Sequence, residues 1–562
     1  MRLAIQLAAL ALATPLAAQT TLRTFSPPQP AFGAERFGSA LAAIGDANND
    51  GVGDYAIGSG QDIFFDPGSV TVVSGLDGSS IRQVFGLHFG QEFGERLHAV
   101  GDADGDGIGD FLAHGSARNA QVPDGISEVR LVSGGSGATL RSLQNSTTGN
   151  YQNATRRFLG GGEDLDGDAV PDFGVTGYWS NVDRTTRLYS GATLAPSQEL
   201  GMAPQPSSDG PFAMLGDLDG DARSEVAYTS RSSGAWLVHI TSGATGGILR
   251  TCTPSPALAS PGVFELDLVA LGDVNGDGVG DLALGGAQVD RVHVFSGANA
   301  AQLRTHASNE AGAKFGFALA GGADCDADGV GDLIVGAPLS GAGGSQRGAV
   351  SVFSGRTGAL LFARSGEQDG ERFGWSLAAA GDTDGDGFDE LLVGAPTWDL
   401  SFSPINGQQI GRALLISPCP LPAREVGAAK LNSLGCLPAL SWSGNASQSN
   451  ASPFTIVAAN VLNQKTGTFY YGLGAPVNVP FQGGTLSAPA PRRRTPYQSS
   501  GGNSSCSDCS GAFSFNFNAH IASGIDPTLV STTRVVGQFW SRDPADPFNT
   551  NLTSGVEFVI CP

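Results

Sequence analysis

Long apolar runs are the first thing missing. After residue 18 no segment of the 562-residue chain has the ~18 or more continuous apolar residues of a membrane-spanning helix. Basic stripes are missing too: the longest run of positive charge is Arg492-Arg493-Arg494, which argues against nucleic acid as a partner. Charged residues make up only 15% of the chain. Its 82 glycines, about twice the usual ~7%, show no three-residue period, which excludes a collagen helix. The seven histidines form no pair at metal-ligand spacing. No βαβ pattern surrounds Cys506-Ser507-Asp508-Cys509, so that motif reads as a structural disulfide or loop staple and not as a redox centre. Without a second cysteine pair it is not a zinc site either. Seven cysteines allow up to three disulfides, with one thiol left over; Cys325 is expected as a buried or free thiol, not paired with Cys252. Serines are too common for a catalytic triad to be read.

What the chain does have is one acidic loop, repeated seven times. In Asp382-Thr383-Asp384-Gly385-Asp386-Gly387-Phe388-Asp389-Glu390, acidic side chains stand at positions 1, 3, 5 and 9, and a glycine stands at position 6, where the chain must turn. Alternate oxygen ligands converge on one ion when the chain curls around it; position 7 adds a backbone carbonyl and position 9 closes the shell. Hard oxygen ligands in an irregular shell favour Ca²⁺ over Mg²⁺. The expected ligand sets are Asp46, Asn48, Asp50, Val52 and Asp54; Asp102, Asp104, Asp106, Ile108 and Asp110; and Asp164, Asp166, Asp168, Val170 and Asp172. They continue with Asp217, Asp219, Asp221, Arg223 and Glu225; Asp273, Asn275, Asp277, Val279 and Asp281; Asp324, Asp326, Asp328, Val330 and Asp332; and Asp382, Asp384, Asp386, Phe388 and Glu390. An EF-hand does not fit, because position 12 is apolar, as at Val393, and the flanks are β-like and not helical. Seven copies also argue against a glycosidase carboxylate pair, since catalysis needs one centre.

The loops are unequal. Ala169 and Ala222 stand where glycine is expected, at a cost of roughly 1–2 kcal/mol if position 6 is left-handed. Arg223 adds a positive charge, so the Asp217 loop ranks weakest. The net charge is -22, and 26 acidic side chains occupy the ligand positions; setting them aside leaves +4. The acidity is therefore concentrated where cations would offset it.

The loops recur at spacings of 56, 62, 53, 56, 51 and 58 residues. In the first repeat, strand-like runs lie at Ser39 to Ile44, Tyr55 to Gly58, Ser69 to Val73 and Ser80 to Phe85, with the acidic loop joining the first to the second. Four strands per unit at this period predict a seven-bladed β-propeller. Fourth strands share a Leu-Arg core, as in Leu140-Arg141, Leu249-Arg250 and Leu303-Arg304. The seventh repeat lacks one, since Pro418-Cys419-Pro420 stops it after Arg412 to Ile416. Leu22-Arg23-Thr24 matches the missing strand, so residues 20–25 are expected to complete the seventh blade.

Phe373-Gly374, the acidic loop and Gly394-Ala395-Pro396 resemble the FG-GAP repeat of integrin α propellers. Phe315-Gly316 with Gly336-Ala337-Pro338 repeats the whole pattern, and Phe37-Gly38 and Phe93-Gly94 keep its first half. The resemblance covers residues 20–417. It implies calcium in loops on one face and ligand contact by loops on the opposite face.

Residues 1–18 read as a secretory signal, with Arg2, the apolar Leu3 to Leu12 and the small Ala17-Ala18 exit. The expected domains are 19–417 for the propeller, 418–430 for a linker and 431–562 for a β-sandwich-like domain. The last resembles a C-terminal module of secreted bacterial proteins at Tyr470-Tyr471-Gly472, Pro480-Phe481, Gln538-Phe539-Trp540, Arg542-Asp543-Pro544 and Cys561-Pro562. The expected function is a secreted or cell-surface, calcium-binding module that is not an enzyme and holds an extracellular glycan or protein. The alternatives are an exported enzyme acting on polysaccharide, marked by acid, base and arginine at the channel mouth, and a structural surface component.

Overall fold

A computed structural model of the chain describes residues 20–28, 36–60, 67–88, 90–116, 127–145, 158–178, 184–200, 210–232, 234–258, 265–342, 344–385, 387–398, 410–418, 423–448, 453–530 and 533–561. Residues 1–18, where a secretory signal is expected, Cys419 and Asp386 lie outside these residues. Two compact units are present, one spanning essentially Thr20–Cys419 and the other most of the remaining C-terminal chain.

Seven four-stranded antiparallel sheets make up the first unit. Blade 1 runs Phe37–Gly45, Asp54–Ser59, Ser69–Val73 and Ser80–Phe85, and its strands pair in that order. The innermost strands of the other blades are Arg96–Gly101, Phe158–Glu163, Phe212–Met214, Leu266–Gly272, Leu319–Gly321 and Ser376–Gly381. Each packs against the next, and the seventh packs against the first, which closes a ring. The second strand of a blade lies between neighbouring blades, and Asp54–Ser59 is buried along its whole length. Such strands read as continuous apolar runs because both faces are covered. The outer Ser80–Phe85 is exposed or half-buried except at Val84.

Blade 7 takes three strands from the end of the repeats and one from the start of the chain. Thr20–Phe25 pairs antiparallel with Arg412–Ser417, with Thr24 opposite Leu414 and Phe25 opposite Ala413. Phe25 is 1% exposed and meets Tyr55 of blade 1 edge-on at 5.8 Å.

Two contacts between blades account for the sequence signatures. The glycine that opens Gly-Ala-Pro faces the Phe-Gly glycine of the next blade. A Cβ on Gly336 would lie 2.2 Å from the Gly374 carbonyl oxygen, and one on Gly394 2.1 Å from that of Gly38. The motif is thus a seam where two backbones touch, and only glycine fits it. The fourth-strand arginine reaches the turn between strands 3 and 4 of the following blade. Arg141 donates to the Ala192 carbonyl at 2.8 Å, Arg304 to those of Gly355 and Arg356, and Arg23 to that of Gly75. The terminal strand therefore makes the same cross-blade bond as its equivalents.

In the C-terminal unit, Arg424–Val426, Thr550–Val559, Arg534–Arg542 and Thr466–Leu473 pair in that order, with the short Arg493–Arg494 and Gln498–Ser499 on the last of them. Ala439–Ser443, Thr455–Val461 and Gly511–Asn516 form a second sheet. Rings from both meet, Phe469 on Phe515 at 5.3 Å and Phe513 on Phe539 at 5.8 Å. A short helix, Phe517–Ala522, was not expected from the sequence; Asn516 caps it by accepting from the Ala519 N–H. The cysteine reading needs one correction. Cys509 is bonded to Cys436, 73 residues earlier, and not to Cys506, whose thiol is exposed. Cys561 is disulfide-bonded as well, while Cys252 and Cys325 are buried free thiols.

Candidate metal centres

In an up-and-down blade, the links from strand 1 to 2 and from strand 3 to 4 lie at one end. All seven acidic loops belong to that end. The backbone curls because positions 4 and 6 are both left-handed. Position 6 has φ 89° at Gly51, 85° at Gly107, 66° at Ala169 and 65° at Ala222. Position 4 has φ 61° at Asn49, 80° at Gly105 and 56° at Ala327. The requirement at position 6 matches the sequence reading; the one at position 4 had gone unread. A Cβ on Gly278 would touch nothing within 4 Å, so Gly278→Ala isolates the backbone cost. It is expected to lower stability by about 1 kcal/mol, measured by urea unfolding; an unchanged midpoint would contradict it.

Position 1 caps the curl. Asp46 accepts from the Asp50 N–H at 3.0 Å and the Gly51 N–H at 2.7 Å. Asp273 accepts from Gly276 at 2.7 Å and Gly278 at 2.7 Å. The Gly51 N–H holds Asp46 below the usual carboxylate range, and the Ala222 N–H does the same for Asp217. Position 2 turns its side chain inward, as with Leu165, Val274 and Cys325, and its N–H donates to position 9.

Position 9 is the buried anchor: Asp54, Asp110, Asp172, Glu225, Asp281, Asp332 and Glu390 are all 0% exposed. Each aspartate also accepts from the glycine of a Ser-Gly pair that follows the third strand. Asp54 takes the Gly75 N–H at 3.0 Å, Asp110 that of Gly134 at 2.9 Å, and Asp332 that of Gly355 at 2.8 Å. The serine can reach position 5, as Ser74 does to Asp50 at 3.1 Å and Ser296 to Asp277 at 3.3 Å. These pairs were missed in the sequence, although their signal is regular: Ser74-Gly75, Ser133-Gly134, Ser190-Gly191, Ser242-Gly243, Ser296-Gly297 and Ser354-Gly355.

Five loops bring one oxygen each from positions 1, 3 and 9 within 4.8 Å of one another: Asp102, Asp104 and Asp110; Asp164, Asp166 and Asp172; Asp217, Asp219 and Glu225; Asp324, Asp326 and Asp332; and Asp382, Asp384 and Glu390. The other two loops carry Asn48 and Asn275 at position 3, amides that still offer a neutral oxygen. Position 5 stands apart from these triplets and caps position 7: Asp106 accepts from the Ile108 N–H at 2.8 Å, Asp168 from Val170 at 2.9 Å, and Asp221 from Arg223 at 2.9 Å.

The donor set fits a hard cation. Burial, reinforced by the neighbouring carboxylates, pushes Asp110 and Asp281 up to about 6 and Asp332 up to about 8. Glu225 keeps Oε1 buried with no hydrogen-bond partner, the kind of orphan atom that an ion would satisfy.

Two arginines alter the ranking of the loops. Arg223 does not stay in its own loop; its guanidinium donates to the Leu165 carbonyl at 2.5 Å, in the loop of the preceding blade. Its charge therefore weighs on the Asp164 loop as well. Arg356 donates to Asp328 Oδ2 at 2.9 Å and to the Asp328 carbonyl at 2.8 Å, which partly neutralises a loop complete in sequence.

The opposite end is different. The inner strands enclose a cavity of about 580 Å³, lined among others by Arg36, Glu95, Arg96, His98, Phe158, Asp267, Phe317, Arg372 and Trp375. His98 faces the Gly161 carbonyl at 3.3 Å, and burial lowers its basicity. Asp267 accepts from the Leu319 N–H at 2.8 Å, and burial pushes it up to about 6. No helix among the described residues is long and apolar enough to cross a membrane.

Comparison with known proteins follows the same lines. Residues 315–353 and 373–415 match the FG-GAP repeat family. Integrin alpha-IIb of Homo sapiens is 37% identical over 156 residues, covering 23% of this chain and 14% of that protein. Integrin alpha-V of Gallus gallus is 34% identical over 139 residues, covering 23% and 13%, and Integrin alpha-5 of Xenopus laevis is 31% identical over 150 residues, covering 23% and 14%. The matched stretch thus spans about one seventh of the length of these relatives. A solved structure of BBS1N in complex with ARL6DN overlays 72% of this chain and 96% of that one with a TM-score of 0.39 and 10% identity, too distant to bear on the fold.

Proposed function

From the premise that the chain carries FG-GAP repeats of the integrin α kind, we propose that it is an exported binding module whose acidic loops hold calcium. Its partner is an extracellular glycan or protein, taken on the face away from those loops. The observation that carries this reading is the difference between the two ends of the blades. One end is given over to seven tight loops anchored by buried carboxylates. The other opens on a concave cavity edged by the half-buried rings of Phe158, Phe317 and Trp375. Calcium supplies positive charge to the position 1, 3 and 9 oxygens when bound; the chain itself holds each loop to the strand 3–4 turn. The apolar stretch at residues 3–12 supports export. Residues 431–562 act as a second folded domain, to whose larger sheet Arg424–Val426 adds a strand, so the segment before residue 431 is not a free linker.

The test is an array of glycans and extracellular proteins probed with the full chain in calcium and in chelator. Binding that chelation removes, and that Trp375→Ala abolishes while the melting temperature holds, is the expected result. A folded, calcium-loaded chain that binds nothing would contradict the reading. One observation favours an exported polysaccharide-acting enzyme instead: the cavity brings Glu95, Asp267 and His98 together with arginines. Release of oligosaccharides from a polymer by the pure protein would decide for it.

A further inference from the structure

We infer that the mouth of the central channel recognises a carboxylate-bearing sugar ring, so that the ligand of the binding module is an acidic, uronate-type glycan. The inference rests on the reading of that face as the binding face. The chain carries a net charge of -22, yet Arg36, Arg96 and Arg372 line this one cavity, against Glu95 and Asp267. The three arginines come from blades 1, 2 and 7, which are consecutive around the closed ring.

Arg96 and Arg372 make no hydrogen bond or ion pair among the described residues. Each lies instead over a ring, Arg96 at 5.7 Å from the centroid of Phe158 and Arg372 at 5.5 Å from that of Trp375. Other guanidiniums in the propeller are taken up by carboxylates. Arg412 pairs with Glu367 and Glu371, each at 2.9 Å, and Arg347 pairs with Asp369 at 2.7 Å. A guanidinium over a ring uses its face and keeps its N–H edge, the part that forks onto a carboxylate. Cation–π contact also holds the side chain in place before a ligand arrives.

The aromatic side of the mouth suits a sugar. Trp375 and Phe317 meet at 4.7 Å with their planes 47° apart, and both rings are half-buried. Their negative faces attract the C–H face of a pyranose. Deeper in, the lining is largely leucine and alanine, including Leu41, Ala43, Leu97 and Ala99, so charge is recognised at the mouth and not along the channel. A volume of about 580 Å³ lies within the range of small-ligand sites. The joint presence of guanidiniums that make no hydrogen bond among the described residues and of half-buried aromatic rings beside them favours an acidic sugar over an acidic peptide, which needs no such rings.

Isothermal titration of the full chain in excess calcium tests this, using a hexuronate tetrasaccharide and its neutral methyl ester. The acid is expected to bind and the ester to bind at least tenfold more weakly. Arg96→Gln and Arg372→Gln should each weaken acid binding at least fivefold with unchanged melting temperatures. Equal affinity for acid and ester, or a double variant that binds like the wild type, overturns the inference. If neither sugar binds but a protein on the array does, the glycan is wrong and the binding module stands. A blank array as well removes both. Uronate that is bound and then cleaved supports carboxylate recognition at the mouth and replaces the binding module with an enzyme.

Discussion

Removing residues 19–26 should lower the melting temperature of the chain by at least about 10 °C. The strand Thr20–Phe25 completes blade 7, and no other described strand lies on that side of Arg412–Ser417. Its loss exposes a fully buried strand as an open edge. Phe25 alone contributes about 3–5 kcal/mol, the usual cost of truncating a buried phenylalanine. The ladder bonds and the Arg23 contact with Gly75 add about 1 kcal/mol each. Against a total stability on the order of 5–15 kcal/mol, this is a major fraction. Phe25→Ala and Arg23→Ala separate packing from the cross-blade bond. An unchanged melting temperature in the deletion would show that the ring closes without this strand.

Removing cations should have an effect of similar size. A site held at ten times its dissociation constant stabilises the fold by about 1.4 kcal/mol, and several such sites add up. The buried position 9 carboxylates set the pH dependence. With no cation, burial raises these groups above their unfolded values, so the folded chain holds protons that the unfolded chain has released. The metal-free fold then loses stability as pH rises through about 6 for Asp110, Asp172 and Asp281 and about 8 for Asp332. Calcium competes with those protons for the same oxygens, so its stabilising effect should grow over that interval and fade below about pH 6. Melting curves in calcium and in chelator, taken from pH 5 to 8, check the sign. A calcium effect that grew on acidification would contradict it.

Why some of this was legible in the sequence, and some not, follows from distance along the chain. An acidic loop and the strand after it are local, so their period revealed seven blades and the candidate ligand positions together. The terminal strand was legible because Leu22-Arg23-Thr24 repeats a pattern found in other blades. The purpose of that arginine was not, because it acts on the turn of the next blade, about 50 residues away, as Arg23 does on Gly75. The Ser-Gly pairs are regular but stand roughly 20 residues from the carboxylates they serve, as Gly75 does from Asp54. Cys436 and Cys509 are joined across 73 residues, so the nearer Cys506 drew the pairing in error. The channel mouth had little linear signal: Arg372 and Trp375 are near neighbours in the chain, but Arg36, Arg96 and Phe158 join them in one lining only when the ring closes.

Native mass spectrometry of the full chain, with calcium added after exhaustive chelation, addresses the central claim most directly. The account predicts several calcium ions per chain, up to seven, with the last and weakest steps belonging to the Asp217 and Asp164 loops and removed by Asp217→Ala and Asp164→Ala. Replacing a buried anchor, as in Asp110→Asn, should delete one ion and leave the others. A folded chain that takes up no calcium, or the same number after Asp110→Asn, would contradict it.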